Sequence, residues 1–240
     1  MAVFAISDLH LPARQKPMDV FGAQWANHFE KISEDWRARV NDDDIVLLPG
    51  DLTWAMRLEE AMEDIRRVGE LPGKKLILRG NHDYWWSAIG RVRRALPENM
   101  FAIQNDAMLI DSVLFAGTRG WMIPSAESDP NDVHIYNRER LRLEMSLKTA
   151  RRLSPDAPLV AMLHYPPLFE SSLGFSDILN AYGVSDCVYG HLHGASIAGA
   201  VRGVRGGVRY HQVSCDGLGF KMYLLKDVSE YLQSHGGSYV

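Results

Sequence analysis

Cysteine is nearly missing from this chain: only Cys187 and Cys215 occur in 240 residues. Two isolated cysteines are not a disulfide framework, and no Cys-x-x-Cys pair suggests a zinc ribbon. Both are read as small core residues with inert thiols. Long apolar runs are missing as well. No stretch approaches the roughly 18–20 residues that span a bilayer, so no membrane is expected as a partner. The start, Met-Ala-Val-Phe-Ala-Ile, runs directly into Ser7-Asp8 without a basic or long apolar region. Export is therefore not expected, and a cytoplasmic location is. Positive charge is not in excess. The formal net charge of −4 gives no global attraction to nucleic acid, and the clusters Arg91, Arg93, Arg94 and Arg151-Arg152 read as solvated helix faces. With no repeat, low-complexity tract or convincing linker, residues 1–240 are expected to form a single domain.

What the chain does contain is an alternation of short apolar runs and helical stripes. Val3–Ile6, Ile45–Leu48, Leu76–Leu78, Met108–Ile110, Val113–Ala116, Leu159–Leu163 and Cys187–Tyr189 are too short for helices and read as buried strands. Val208–Val213 and Phe220–Leu225 add two more, joined through Cys215-Asp216-Gly217. Phe21, Trp25, Phe29, Ile32 and Trp36 recur at helical spacing, with Asp19 as a candidate N-cap. Leu58, Met62, Ile65 and Val68 form a second stripe ending near Gly69; Leu143, Leu147, Ala150 and Leu153 form a third, stopped by Ser154-Pro155. Trp121–Val133 is polar and proline-containing, which predicts a surface loop. Residues from about 227 onward predict a frayed tail. The pattern implies an α/β fold with some parallel pairing.

The informative feature is where the strands end. They run into Asp8-Leu9-His10, Gly50-Asp51, Gly80-Asn81-His82-Asp83, His164-Tyr165-Pro166 and Gly190-His191-Leu192-His193. Ligands of an open α/β sheet collect beyond the carboxyl ends of its strands, so five distant segments can converge on one point. In extended chain, residues i and i+2 project to one side, which pairs Asp8 with His10 and His191 with His193. Glycines 50, 80 and 190 stand where a sharp turn or a close backbone approach would need them. Each segment alone has an ordinary turn or capping reading; their conjunction does not.

In that order the motifs resemble those of the calcineurin-like metallophosphoesterases, over residues 8 to 193. The resemblance implies a four-layer α/β/β/α sandwich of two mixed sheets flanked by helices, with a dinuclear centre at the sheet ends. It places one metal on Asp8, His10, Asp51 and His193, and a second on Asp51, Asn81, His164 and His191, with Asp51 bridging. His82 becomes the non-ligand histidine beside the phosphate. Carboxylate, amide and imidazole ligands without thiolate suit Mn²⁺ first, with Fe or Zn²⁺ as alternatives. A hydroxide shared by two such ions is expected to attack phosphorus in line, without a phospho-enzyme. His82 would stabilise the developing charge or protonate the leaving oxygen, and Asp83 would orient a neighbour rather than bind metal.

Departures from relatives narrow the substrate. The protein Ser/Thr phosphatases extend the second motif as Gly-Asp-x-x-Asp-Arg-Gly, whereas this chain reads Gly50-Asp51-Leu52-Thr53-Trp54-Ala55-Met56. His82 stands where lipid-A-pathway hydrolases carry Arg, and the chain has no room for the capping domain of the DNA-repair nucleases. A small phosphodiester or phosphomonoester is the expected substrate. A non-catalytic metal-binding scaffold and a nuclease are the alternatives; the first would have lost ligands, and the second would need a basic track or stacking groove. Trp54, Tyr84, Trp85, Trp86 and Trp121 could stack on substrate or pack in the core. Arg57 and Arg119 could contact a phosphate, although surface arginines are common. Of the histidines outside the motifs, His134 stands nearest the long loop.

Overall fold

The computed structural model describes residues 1–13 and 17–235. Two sheets carry the fold. The first has five strands: β1 (Ala2–Ala5), β2 (Ile45–Leu48), β3 (Lys74–Ile77), β4 (Met100–Ala102) and β11 (Tyr223–Asp227). They lie in the order β11-β1-β2-β3-β4, all parallel except β11. The second has six strands: β5 (Ala107–Ile110), β6 (Val113–Thr118), β7 (Leu159–Leu163), β8 (Asp186–Tyr189), β9 (Gly203–Arg205) and β10 (Val208–Gln212). Its order is β5-β6-β7-β8-β10-β9, with antiparallel strands β5 and β9 at the two edges.

Strand residues are apolar on both faces, as sheets covered on both sides require. Alternation then sorts them into layers. Val3, Ala5, Leu47, Leu76, Phe115, Val160, Met162 and Val188 point between the sheets. Phe4, Ile6, Val46, Leu48 and Ile77 pack against Phe29, Ile32 and Trp36 of α1 (His28–Arg39) and against Ala61, Ile65 and Val68 of α2 (Leu58–Gly69). Leu114, Ala116, Leu159, Ala161, Leu163 and Tyr189 pack against Leu143, Leu147 and Ala150 of α4 (Pro130–Leu153) and Leu179 of α5 (Ser176–Ala181). Three apolar interfaces make four layers, α/β/β/α. A slip of one residue in any central strand would exchange two of these interfaces.

The sheets meet at one end. Beyond β1, Ser7 pairs in parallel with Ser214 beyond β10; Ser7 N donates to Val213 O and Cys215 N donates to Ser7 O. This join brings the carboxyl ends of both parallel sets to a common edge.

Several boundaries differ from the sequence reading. Asp19 does not cap the first helix. It lies in a 3-10 turn, Met18–Phe21, and α1 begins only at His28 after Asn27 in a left-handed conformation. Trp25 is nonetheless buried, whereas Phe21 is exposed. The expected loop up to Val133 ends earlier, because Asp129 accepts from Asn131 N at 2.7 Å and Pro130 opens α4. α3 (Ile89–Ala95), β4, α5 and β9 were not anticipated. The last strand is Tyr223–Asp227 rather than 220–225, and Val228–His235 forms helix α6 where a frayed tail was expected. Tyr231, buried against the inter-sheet core, anchors that helix; residues 236–240 of the expected tail lie outside the described residues. Among the described residues no helix is long and apolar enough to cross a membrane.

Candidate metal centre

Asp8, His10, Asp51, Asn81, His164, His191 and His193 all gather at the common sheet edge. The turns that deliver them are strained. Asp8, His10, Asp51 and His191 have φ of 58°, 44°, 54° and 70°, a region that costs non-glycine residues about 1 kcal/mol or more each. The i, i+2 pairing of Asp8 with His10 thus comes from consecutive tight turns, not from extended chain. Three glycines make room. A Cβ at Gly50 would lie 2.7 Å from His164 Nδ1 and 2.8 Å from Gly80 N. A Cβ at Gly80 would lie 2.0 Å from Asp51 Oδ1, and one at Gly190 would lie 2.2 Å from Asp8 Oδ2.

Around one point, His10 Nε2 lies 3.2 Å from His193 Nε2 and 3.8 Å from Asp51 Oδ2, while His193 Nε2 lies 3.3 Å from Asp8 Oδ1. Around a second, His164 Nε2 lies 2.6 Å from Asn81 Oδ1 and 3.4 Å from Asp51 Oδ2, and His191 Nδ1 lies 2.9 Å from Asn81 Oδ1. Asp51 Oδ2 stands between the two groups. Ligand atoms about 2.1 Å from a shared ion are roughly 3.0–3.4 Å apart, and half of these contacts fall in that range.

Hydrogen-bond chemistry tests whether a cation fits. His164 Nδ1 lies 3.0 Å from Pro49 O, and a carbonyl can only accept. Nδ1 therefore carries the proton, and in the neutral ring Nε2 presents a lone pair to the Asn81 oxygen. His193 repeats the arrangement: Nδ1 lies 3.0 Å from the Asp216 carboxylate, so in the neutral ring the Nε2 lone pair would face His10 Nε2 and Asp8. Lone pairs aimed at the Asn81 and Asp8 oxygens call for a positive charge between them. Outer hydrogen bonds of this kind fix the tautomer of metal-binding histidines.

Protonation shifts report the same demand. Burial lowers His164 and His191 to about 4, so both rings are neutral donors at neutral pH. Burial also tends to lower His193, but its hydrogen bonds and charge contacts with Asp216 and Asp8 raise it to about 10. A proton there stands in for a cation. Asp8 is fully buried, which disfavours its charge, yet His193, His164 and His10 hold it well below the usual carboxylate value. Asp51 is pushed well above that value by burial and by Asp83 and Asp8, a repulsion that a bound cation would reverse.

Asp83 does orient its neighbours. Its carboxylate accepts from Asp51 N at 2.9 Å, Leu52 N at 2.9 Å, Gly80 N at 2.7 Å and Trp85 Nε1 at 2.9 Å, which ties the second motif to the third. Asp51 Oδ1 in turn accepts from His82 N at 2.8 Å. Trp54 stacks on His10 at 4.7 Å and leans on His82 at 4.4 Å. His82, Trp54, Tyr84, Phe21 and Glu63 line a cavity of about 1000 Å³. Trp85 and Trp86 are core residues, the latter donating to Gln104 Oε1 at 2.7 Å. Trp121 packs on Tyr165 at 5.2 Å, and Tyr165 on His191 at 4.1 Å.

Two residues were missed from sequence. Asp216 holds His193, and His28, buried on α1, has its Nε2 2.8 Å from Leu9 O, between the two residues of the first motif. Asp216 sits in a Cys-Asp-Gly turn that has no pattern of its own to set it apart. His134 is exposed on α4 and lies outside the centre.

A sandwich of two mixed sheets with buried and half-buried Asp, Asn and His side chains at its strand ends defines a metal-binding hydrolase architecture. The family model for calcineurin-like phosphoesterases matches residues 1–195, and the chain belongs to that family. It is a phosphoesterase, a metal-dependent hydrolase of phosphoester bonds. Among solved structures, a phosphopantetheinyl hydrolase (PptH) from Mycobacterium tuberculosis is 18% identical with a TM-score of 0.54, over 89% of this chain and 88% of that one. A protein of unknown function from Aquifex aeolicus, AQ665, is 14% identical with a TM-score of 0.49, over 93% and 95%. At these identities the first shares the fold and nothing finer. No curated protein matches the chain.

Proposed function

We propose that the chain hydrolyses a small phosphodiester or phosphomonoester at a dinuclear centre. One ion is held by Asp8, His10, Asp51 and His193, the other by Asp51, Asn81, His164 and His191. The observation that carries this reading is the position of Asp51 Oδ2, 3.8 Å from His10 Nε2 and 3.4 Å from His164 Nε2: one carboxylate oxygen serves both donor groups. Two divalent ions, Mn²⁺ by the donor chemistry, supply Lewis acidity and make water nucleophilic at neutral pH.

The chain's own residues do the rest. Asp83 fixes the backbone of Asp51 and Gly80, so the bridge and Asn81 keep their spacing. Asp216 and Pro49 hold the protons of His193 and His164 away from the donor face. His82, wedged against Trp54, meets the phosphate and steadies charge or delivers a proton to the leaving oxygen. The remainder of the substrate occupies the cavity beside His82, whose volume is at the upper end for small-molecule sites.

The test is turnover by metal-stripped chain on generic phosphomonoesters and phosphodiesters, with and without Mn²⁺, alongside metal stoichiometry. Turnover should return with Mn²⁺ at two ions per chain, and Asp51→Asn should lose the pair. Metal-independent turnover, or two fully occupied sites in Asp51→Asn, would contradict the proposal.

A further inference from the structure

A second cavity, of about 280 Å³, lies beyond the carboxyl ends of β3, β4 and β6 and is covered by α4. Arg79, Arg119, Arg138, Arg142 and Glu139 line it. Glu139 is 1% exposed and already committed. It accepts from Thr118 Oγ1 at 2.7 Å and from Arg142 Nη1 at 2.6 Å, with Arg138 Nε 3.8 Å away. The other two guanidiniums make no ion pair with a carboxylate among the described residues, and Glu139 acts on Arg119 only at longer range. Arg79 Nε is buried with no hydrogen-bond partner among the described residues. Arg119 lies over the Trp121 ring at 4.5 Å, and its side chain makes no hydrogen bond or ion pair among the described residues.

Arg138 and Arg142 keep access to solvent, but Arg79 and Arg119 add uncompensated positive charge in a partly desolvated space, which is costly unless an anion enters. Water can satisfy a single donor, but it does not neutralise the set. Guanidinium forks match tetrahedral and planar oxyanions, and the Trp121 ring restrains Arg119 from one side. The cavity is below the roughly 300–1,000 Å³ that holds whole ligands. It suits one anionic group. Its walls are continuous with the metal centre: Arg79 is two residues from Asn81, and Arg119 O accepts from His164 N at 3.0 Å.

We propose that Arg79, Arg119, Arg138 and Arg142 form a binding site for a phosphate-sized oxyanion, separate from the metal centre. The oxyanion is a second anionic group of the substrate or a free phosphate that tunes the enzyme. The binding claim stands without the hydrolytic reading, whereas its assignment to substrate rests on it.

Inorganic phosphate is the probe, and the readout is the melting temperature of the full chain, metal-loaded and again after chelation. Chloride at matched ionic strength is the control. Phosphate at ten times its dissociation constant should raise Tm by roughly 3–6 °C after chelation, and Arg119→Gln should abolish that rise. Arg138→Gln, on an exposed part of α4, should weaken the response about tenfold in phosphate concentration. It keeps the test valid if Arg119→Gln fails to fold. A chelated wild-type chain that responds to phosphate no more than to chloride overturns the site, and so does an Arg138→Gln response unchanged from wild type.

Turnover of the metal-loaded chain identifies the source. Loss of kcat/KM for glucose 1,6-bisphosphate but not glucose 1-phosphate in Arg138→Gln assigns the anion to substrate. A glucose 1-phosphate rate that responds to added phosphate in wild type, and not in Arg138→Gln, assigns it to a free effector. Absence of hydrolysis on every ester would sink the enzymatic reading while leaving the Tm result standing.

Discussion

Asp216 accepts the Nδ1 proton of His193 across 3.0 Å, and this one bond decides what the other side of the ring can do. It turns the Nε2 lone pair toward Asp8 and His10, where a cation would sit. The same carboxylate accepts from Gly194 N at 2.9 Å, so it also sets the turn that carries His193. Asp216→Ala should lower affinity for the ion on His193 by about 10–100-fold, the usual effect of removing an outer partner. Metal titration of the variant checks this. Asp216→Asn should lose less, because its amide oxygen can still accept. Equal losses in the two variants would mean that the negative charge, not the orientation, matters.

His82 is expected to separate chemistry from assembly. It provides backbone N–H to Asp51 Oδ1, a contact that survives truncation of the side chain. His82→Ala should therefore keep its metal content while turnover falls by about 10²–10⁴-fold, the range for a positioned proton donor. Metal analysis beside kcat checks the claim. A parallel fall in both would show that the ring holds the centre together rather than acting on substrate.

A methyl group at position 80 should damage the centre more than the fold. The Cβ of Gly80→Ala would sit 2.0 Å from Asp51 Oδ1 and 2.4 Å from Asp51 N. Neither the carboxylate nor the backbone can retreat, since His82 N holds Asp51 Oδ1 and Asp83 holds the backbone N–H of both residues. The expected result is loss of bound metal and of turnover with the far-ultraviolet spectrum unchanged. Full metal occupancy would mean that the turn is softer than its packing suggests.

How much of this was legible in the sequence follows from how locally each feature is encoded. The strand ends were readable because a buried strand followed by Gly and then Asp, Asn or His is compressed into a few residues. Glycines 50, 80 and 190 anticipated a close approach that the structure shows at all three positions. Their partners were less visible. Asp216 acts on a residue 23 positions away, and the four cavity arginines come from three segments that only the fold unites. Errors in the elements have similar causes. Asp129-Pro130 resembles a turn, yet an acceptor before proline also opens a helix. Trp25 kept helical spacing while its burial came from packing a 3-10 turn against His193 and Phe220. Tyr231 gave little sequence signal among polar neighbours, yet its burial under the sheets holds α6.

Stability of the metal-free chain should peak near neutral pH, with three rings setting its two limbs; His10 and His28, also lowered by burial, add to the acid limb. Histidines in the unfolded chain titrate near about 6.5. Burial lowers folded His164 and His191 to about 4, so between these values the unfolded chain binds protons that the folded chain refuses. Stability falls as pH drops through that window. His193 has the opposite sign. Asp216 and Asp8 outweigh its burial and raise it to about 10, so its contribution is complete below about 6.5 and is lost as pH rises toward 10. Together these rings give a maximum near pH 6.5. A metal ion at His193 Nε2 takes the place of the proton there, so the folded chain no longer holds one extra. The alkaline decline should then vanish, while the acid decline steepens because protons compete with the ion for every imidazole. Melting temperature against pH, with chelator and with excess Mn²⁺, checks both limbs. An alkaline decline that persists unchanged with metal would remove His193 from the ligand set.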